Sequence, residues 1–157
     1  MVETTLSGAS HHILTNDYAS EWMGIEVLKL DDGHATIRMH LRQEMLNGFG
    51  MAHGGMIFAF GDTAFALACN PASPTPEEAG SITVASGVDI NFIKPAFQGQ
   101  VITAVANRRA STGRSGLYDI QIFAATPSPA DASSPADAQP GELIAEFRGR
   151  SRTISKK

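Results

Sequence analysis

The chain has one cysteine, one tryptophan and two tyrosines in 157 residues, with no long apolar run and no excess of basic charge. A lone Cys69 excludes an intrachain disulfide framework and any cysteine-based zinc site, so stability has to come from packing, and a reducing compartment suits it. The longest apolar runs, Met56 to Phe60 and Ala64 to Cys69, fall far short of the roughly 18 residues that a membrane-spanning helix needs. Met1 to Ser10 holds neither the basic cluster nor the apolar stretch of a secretory signal, which points to a cytoplasmic protein. Twelve Lys and Arg stand against sixteen Asp and Glu, a net charge of -4, and no basic stripe crosses residues 1 to 140. That balance argues against a nucleic-acid partner. The late residues Arg148, Arg150 and Arg152 alternate as the solvated face of a strand does.

What is present suits one soluble domain over residues 1–157: 43% of the residues are hydrophobic and 18% charged. Residues 8 to 22 place Ile13, Leu14, Tyr18 and Trp22 near a 3.6 spacing, which predicts a short amphipathic helix. Ile25 to Leu30 and Ala35 to Leu41 flank Asp31-Asp32-Gly33, and Ala35, Ile37, Met39 and Leu41 alternate with polar neighbours, the pattern of a hairpin with one buried face. Four more alternating runs follow, from Ile82 to Phe92, from Val101 to Val105, from Leu117 to Ala124 and from Leu143 to Ile154. Pro71 to Gly80 and Thr126 to Gly141 have the composition of loops, the second a flexible insertion between two strands. The expected architecture is α+β, one long helix with an antiparallel sheet of five or six strands in the order β-β-α-β-β-β-β.

Gly54 to Asn70 alternates with nothing, contains no Pro, and reads as one helix of four to five turns. It is apolar on every face except for Asp62, so a sheet or another subunit must wrap it. A carboxylate in poor solvent either finds a partner, binds its proton more tightly or faces a wet cavity, and each occurs at active sites. The alternative is that Asp62 faces solvent or bonds Thr63 and sets register. At the helix start, His53-Gly54-Gly55 offers amides without intrahelical partners and without side chains in front of them, as a ligand oxyanion requires and as a plain flexible turn also would. Asn47 and His53 either orient a carbonyl or hold the local turn. No GxxxxGK[ST] or GxSxG motif is present, Gly48-Phe49-Gly50 lacks the third glycine of a dinucleotide fingerprint, and the five histidines show no metal-ligand spacing. His11 and His12 read as surface residues.

The stretch LNGFGMAHGGMIFAFGDTAFALACN, from Leu46 to Asn70, closely resembles the signature of the hot-dog-fold acyl-CoA thioesterases, in particular those of the phenylacetate catabolic pathway. VDINFIKPAFQGQ, GRSGLYDIQIF and LIAEFRGRSRTI are similar to strands of the same family, so the resemblance covers nearly the whole chain. It departs at Gly61, where Ala is expected, and in the length of the 126–141 insertion. The resemblance implies a hot-dog fold, a central helix wrapped by the sheet, and hydrolysis of an acyl-CoA thioester such as an aryl- or hydroxyaryl-acetyl-CoA, without metal or cofactor. Asp62 would activate water or attack directly, and the Gly54 amide would hold the oxyanion. Asn47 and His53 would line the site and Thr63 would support it, with Gly55 beside the substrate. Lys94 and Arg114, and with them Arg108 and Arg109, are candidates for the coenzyme A phosphates.

Gly54 and Asp62 are eight residues apart on one helix, roughly 12 Å at 1.5 Å per residue. One carbonyl cannot touch both, because an oxyanion donor works at about 3 Å. The two groups must then come from different subunits with antiparallel helices, a homodimer at minimum and by expectation a dimer of dimers. Two other readings remain at this point: a hot-dog enoyl-CoA hydratase or dehydratase with His53 as base, and a non-catalytic acyl-CoA sensor. Phe49, Phe58, Phe60 and Phe65 either line an aromatic acyl pocket or belong to the core.

Overall fold

Alternating apolar residues after Gly24 form β1 (Glu26–Asp31) and β2 (His34–His40), which close into an antiparallel hairpin at Asp32-Gly33. The computed structural model describes residues 10–127 and 140–156. α2 (Gly54–Cys69) follows, then β3 (Ser81–Phe92), β4 (Val101–Thr112), β5 (Ser115–Ala125) and β6 (Glu142–Ser155). The six strands of the described residues form one antiparallel sheet in the order β1-β2-β4-β5-β6-β3, and α2 packs against it, touching every strand, the hot-dog architecture. Most of the 126–141 insertion lies outside the described residues.

The expected helix over residues 8 to 22 is two pieces, a 3-10 turn at His12–Leu14 and α1 (Tyr18–Met23). Asn16 breaks it with a left-handed backbone (φ 65), and Asp17 caps the new start by accepting the Ser20 N–H. The break rotates the buried face. Leu14, Ser20 and Met23 point inward, while Tyr18 and Trp22 stay exposed, the latter under the Arg42 guanidinium at 4.3 Å from the ring centre. His11 is buried rather than on the surface, its Nε2 donating to the Asn70 carbonyl at 2.9 Å, and burial holds its pKa below the ordinary value. Asn70 in turn exchanges two 3.0 Å bonds with the Thr83 backbone and so ties the end of α2 to the start of β3.

Helix and sheet interlock through two rings and two glycines. Phe147 of β6 lies over Gly61, where a Cβ would come within 2.9 Å of its Cδ2, and Phe65 of α2 lies over Gly149, where a Cβ would meet the ring at 2.7 Å. This explains the departure from Ala at position 61. Gly61→Ala gains about 1 kcal/mol of helix propensity, but overpacking a buried site costs about 1–3 kcal/mol. A net loss of about 1 kcal/mol, a fall of roughly 2–4 °C in Tm, is expected in a thermal melt. An unchanged or raised Tm would mean that Phe147 moves aside freely.

The sheet wraps only one side of α2. Gly55, Phe58 and Asp62 are its exposed positions, a stripe that no strand among the described residues covers. Both edge strands carry a bulge, β1 between Val27 and Lys29 and β3 between Ala85 and Gly87, but β1 is also short and charged, features that discourage further pairing. β3 is twelve residues long and leaves Val84 and Phe92 exposed.

Candidate functional site

His53 is the N-cap of α2, and its Nδ1 accepts the Gly55 N–H at 2.9 Å. A backbone amide can only donate, so neutral His53 carries its own proton on Nε2. Gly55 is thereby spent on the cap. Among the described residues the Gly54 N–H takes no acceptor, because it is the first residue of the helix. It stands where the positive end of the helix dipole meets solvent. The Phe92 ring from the edge strand rests against Gly54, 3.3 Å from where a Cβ would lie, a contact the sequence pattern does not reveal. Alternation places Phe92 on a strand, but only the pairing of β3 beside β6 brings it over the helix start.

Asn47 spends its side-chain oxygen on the Phe49 and Met51 amides, at 2.9 and 3.2 Å, and so shapes the loop that leads into α2. It therefore holds the turn, and only its Nδ2 is left to face a ligand. Two turns along α2, Asp62 projects from the open stripe. It is not sealed in the core as the apolar helix implied. The surrounding helix wall still desolvates it in part, and the Asp17 charge adds to that effect, so its pKa lies above the ordinary value. Thr63 turns toward α1, where its hydroxyl meets that of Ser20 at 3.0 Å. Cys69, near the other end of the helix, is pushed up to about 12 by burial, stays protonated at neutral pH and is no nucleophile.

The basic candidates do not converge. Lys94 N–H bonds the Ile144 carbonyl, whereas the Arg114 carbonyl accepts the Thr153 N–H. Nine residues of β6 separate those anchor points, roughly 30 Å of strand. Lys94 shares the Gly54 end of the sheet and pairs with Glu142 at 3.4 Å, while Arg114 lies at the Cys69 end. Arg108 is held by Asp32 at 2.9 Å and Arg109 by Asp119 at 3.4 Å. A 570 Å³ cavity lined by His11, Cys69, Asn70, Thr83 and Arg108 also lies at the Cys69 end, away from the free amide.

A helix-start amide without an acceptor and a carboxylate of raised proton affinity are groups that acyl-transfer chemistry can use. Residues 49–129 match the thioesterase superfamily. The chain is 34% identical over 145 residues to the acyl-coenzyme A thioesterase PaaI of Escherichia coli (strain K12), covering 92% of this chain and 89% of that protein. The solved structure of the E. coli PaaI protein from the phenylacetic acid degradation operon superposes with a TM-score of 0.75 over 93% of this chain and 91% of that one. The TT0310 protein of Thermus thermophilus is 28% identical, with a TM-score of 0.70 over 87% of this chain and 97% of that one. Sequence and fold together place the chain in the thioesterase superfamily, as a thioester hydrolase of the hot-dog fold.

Proposed function

We propose that the chain hydrolyses acyl-CoA thioesters at two sites shared between antiparallel copies, with an aryl-acetyl group as the preferred acyl chain. The observation that carries this reading is the free Gly54 amide with Asp62 two turns further along α2, roughly 12 Å away along the axis. In each site Gly54 N–H of one copy holds the oxyanion. Asp62 of the other takes a proton from water as it attacks the thioester carbon, or attacks first and forms an anhydride that water then opens. The coenzyme A thiolate leaves. The exposed Nε2–H of His53 and Nδ2 of Asn47 are donors at the mouth of the site, and the chain's own carboxylate and amide suffice for the chemistry without a cofactor.

Two features support the pairing. The long β3 edge offers unpaired backbone groups and exposed apolar side chains to the same strand of a second copy, which would extend the sheet and set the helices antiparallel. Residue 58 lies midway between 54 and 62, so Phe58 would fall on the two-fold axis, between both sites. It is 37% exposed in the single chain and meets the Phe147 ring at a tilt, centroids 5.4 Å apart, while Phe60 and Phe65 are buried in the core and Phe49 is exposed in the preceding loop. The hydratase reading asks His53 to accept a proton, but its Nδ1 is engaged in the helix cap and its Nε2 is protonated.

Free-thiol release from a panel of phenylacetyl-, acetyl-, octanoyl- and 2-enoyl-CoA tests the reading. Saturated thioesters should be cleaved, and phenylacetyl-CoA best. Phe58→Ala should lower kcat/KM for phenylacetyl-CoA about 2- to 10-fold more than for acetyl-CoA, the size of one aromatic contact. Hydration of the enoyl substrate without thiol release would favour the hydratase, and an unchanged aryl-to-alkyl ratio would remove the aryl preference.

A further inference from the structure

Ser20 is 1% exposed, and its hydroxyl sits between two oxygens, Asp17 Oδ2 at 2.7 Å and Thr63 Oγ1 at 3.0 Å. The carboxylate can only accept, so the single Ser20 proton goes to Asp17 and the Thr63 hydroxyl must donate to Ser20. The chain therefore has one direction, Thr63 to Ser20 to Asp17, and it forms a polar link between α1 and the turn of α2 that carries Asp62. Asp17 anchors it firmly, because its other oxygen accepts the Ser20 N–H at 3.1 Å as the helix cap. The Asp17 charge also lies near enough to Asp62 to favour its protonated form.

We propose that Asp17 and Ser20 are positioning residues for thioester hydrolysis: through the Thr63 hydroxyl they tie α1 to the turn of α2 that carries Asp62 and fix where that turn stands. This rests on the reading of Asp62 as the acting carboxylate. Neither residue touches the substrate in that scheme. A shift of the turn that carries a reacting group displaces that group from its target, and holding it in one geometry is worth large factors in rate.

Two variants separate this role from helix capping. Asp17→Asn keeps a capping oxygen for the Ser20 N–H, but its amide group donates to the Ser20 hydroxyl and reverses the chain. Ser20→Ala keeps the cap and the charge and removes the relay. Each should lower kcat about tenfold with KM unchanged, the size of a modest loss of positioning. Ser20→Ala combined with Thr63→Val should cost no more than the worse single variant, because both break one chain. Asp62→Asn is run beside them, with circular dichroism on every protein; should Ser20→Ala fail to fold, Asp17→Asn carries the test. If Asp62→Asn is inactive while Asp17→Asn and the folded Ser20→Ala keep wild-type kcat, or change KM alone, or multiply with Thr63→Val, the positioning role is overturned. If Asp62→Asn keeps wild-type activity, the reading beneath it fails instead.

Discussion

Asp62→Asn is expected to lower thioester hydrolysis by about 10²- to 10⁴-fold, the contribution of one positioned base, while the chain folds normally. Asn has the same shape but cannot accept the proton of water. The wild-type rate should also fall in acid, because in the proposed scheme Asp62 acts only when ionised. Partial burial, reinforced by Asp17, raises its pKa, so the acid limb of the rate profile lies above the ordinary carboxylate value of 3.8. The same shift has a consequence for stability. A carboxyl that binds its proton more tightly in the folded chain than in the unfolded one stabilises the fold most below the unfolded value, and that contribution is lost as pH rises through the folded value. At neutral pH the ionised Asp62 is thus a net cost, and Asp62→Asn should raise Tm there, with the gain vanishing in strong acid. Melts and initial rates of both proteins across pH check all of this. A variant that keeps its rate would remove Asp62 from the chemistry, and a lower Tm at neutral pH would show that the carboxylate has a stabilising partner.

Mixing two inactive chains should restore activity. Gly54→Pro removes the amide proposed as the oxyanion donor with little local disturbance, because proline suits the first residue of a helix and His53 before it is already extended (φ -64, ψ 132). Phe92 has to yield slightly to the ring. Losing one oxyanion donor costs about 10²- to 10³-fold. Asp62→Ala and Gly54→Pro homodimers should each be nearly inactive. After joint unfolding and refolding, about half of the dimers pair one chain of each kind, and each of these has one intact site and one doubly damaged site. About a quarter of wild-type activity is therefore expected on two-fold symmetry. No recovery after verified subunit exchange would show that each chain carries its own complete site.

Much of the site is legible in the sequence because it depends on one helix. The start of α2 at His53-Gly54-Gly55, its free amide and the eight-residue spacing to Asp62 are local properties of a segment whose composition permits little else. The hairpin around Asp32-Gly33 and the later strands are equally plain, since alternation is a short-range signal. The first helix differs from expectation because Tyr18 and Trp22 fit a 3.6 spacing that Asn16 and Asp17 interrupt; a left-handed residue followed by a capping Asp competes with hydrophobic periodicity and wins. Lys94 and Arg114 look alike in sequence, yet they stand at opposite ends of β6.

By itself, the sequence determined the long helix and the strands, their order, the composition that excludes disulfide staples, and the distance along α2 that separates amide from carboxylate. Only the tertiary structure decided which side of α2 the sheet leaves open, that β3 rather than another strand forms the long edge, that Phe92 covers Gly54, and that Ser20 meets Thr63. The physical reason is range. Backbone hydrogen bonds and side-chain periodicity within a segment are set by neighbouring residues, but strand order and helix contacts depend on which distant surfaces bury the most apolar area together, and no local pattern encodes that choice.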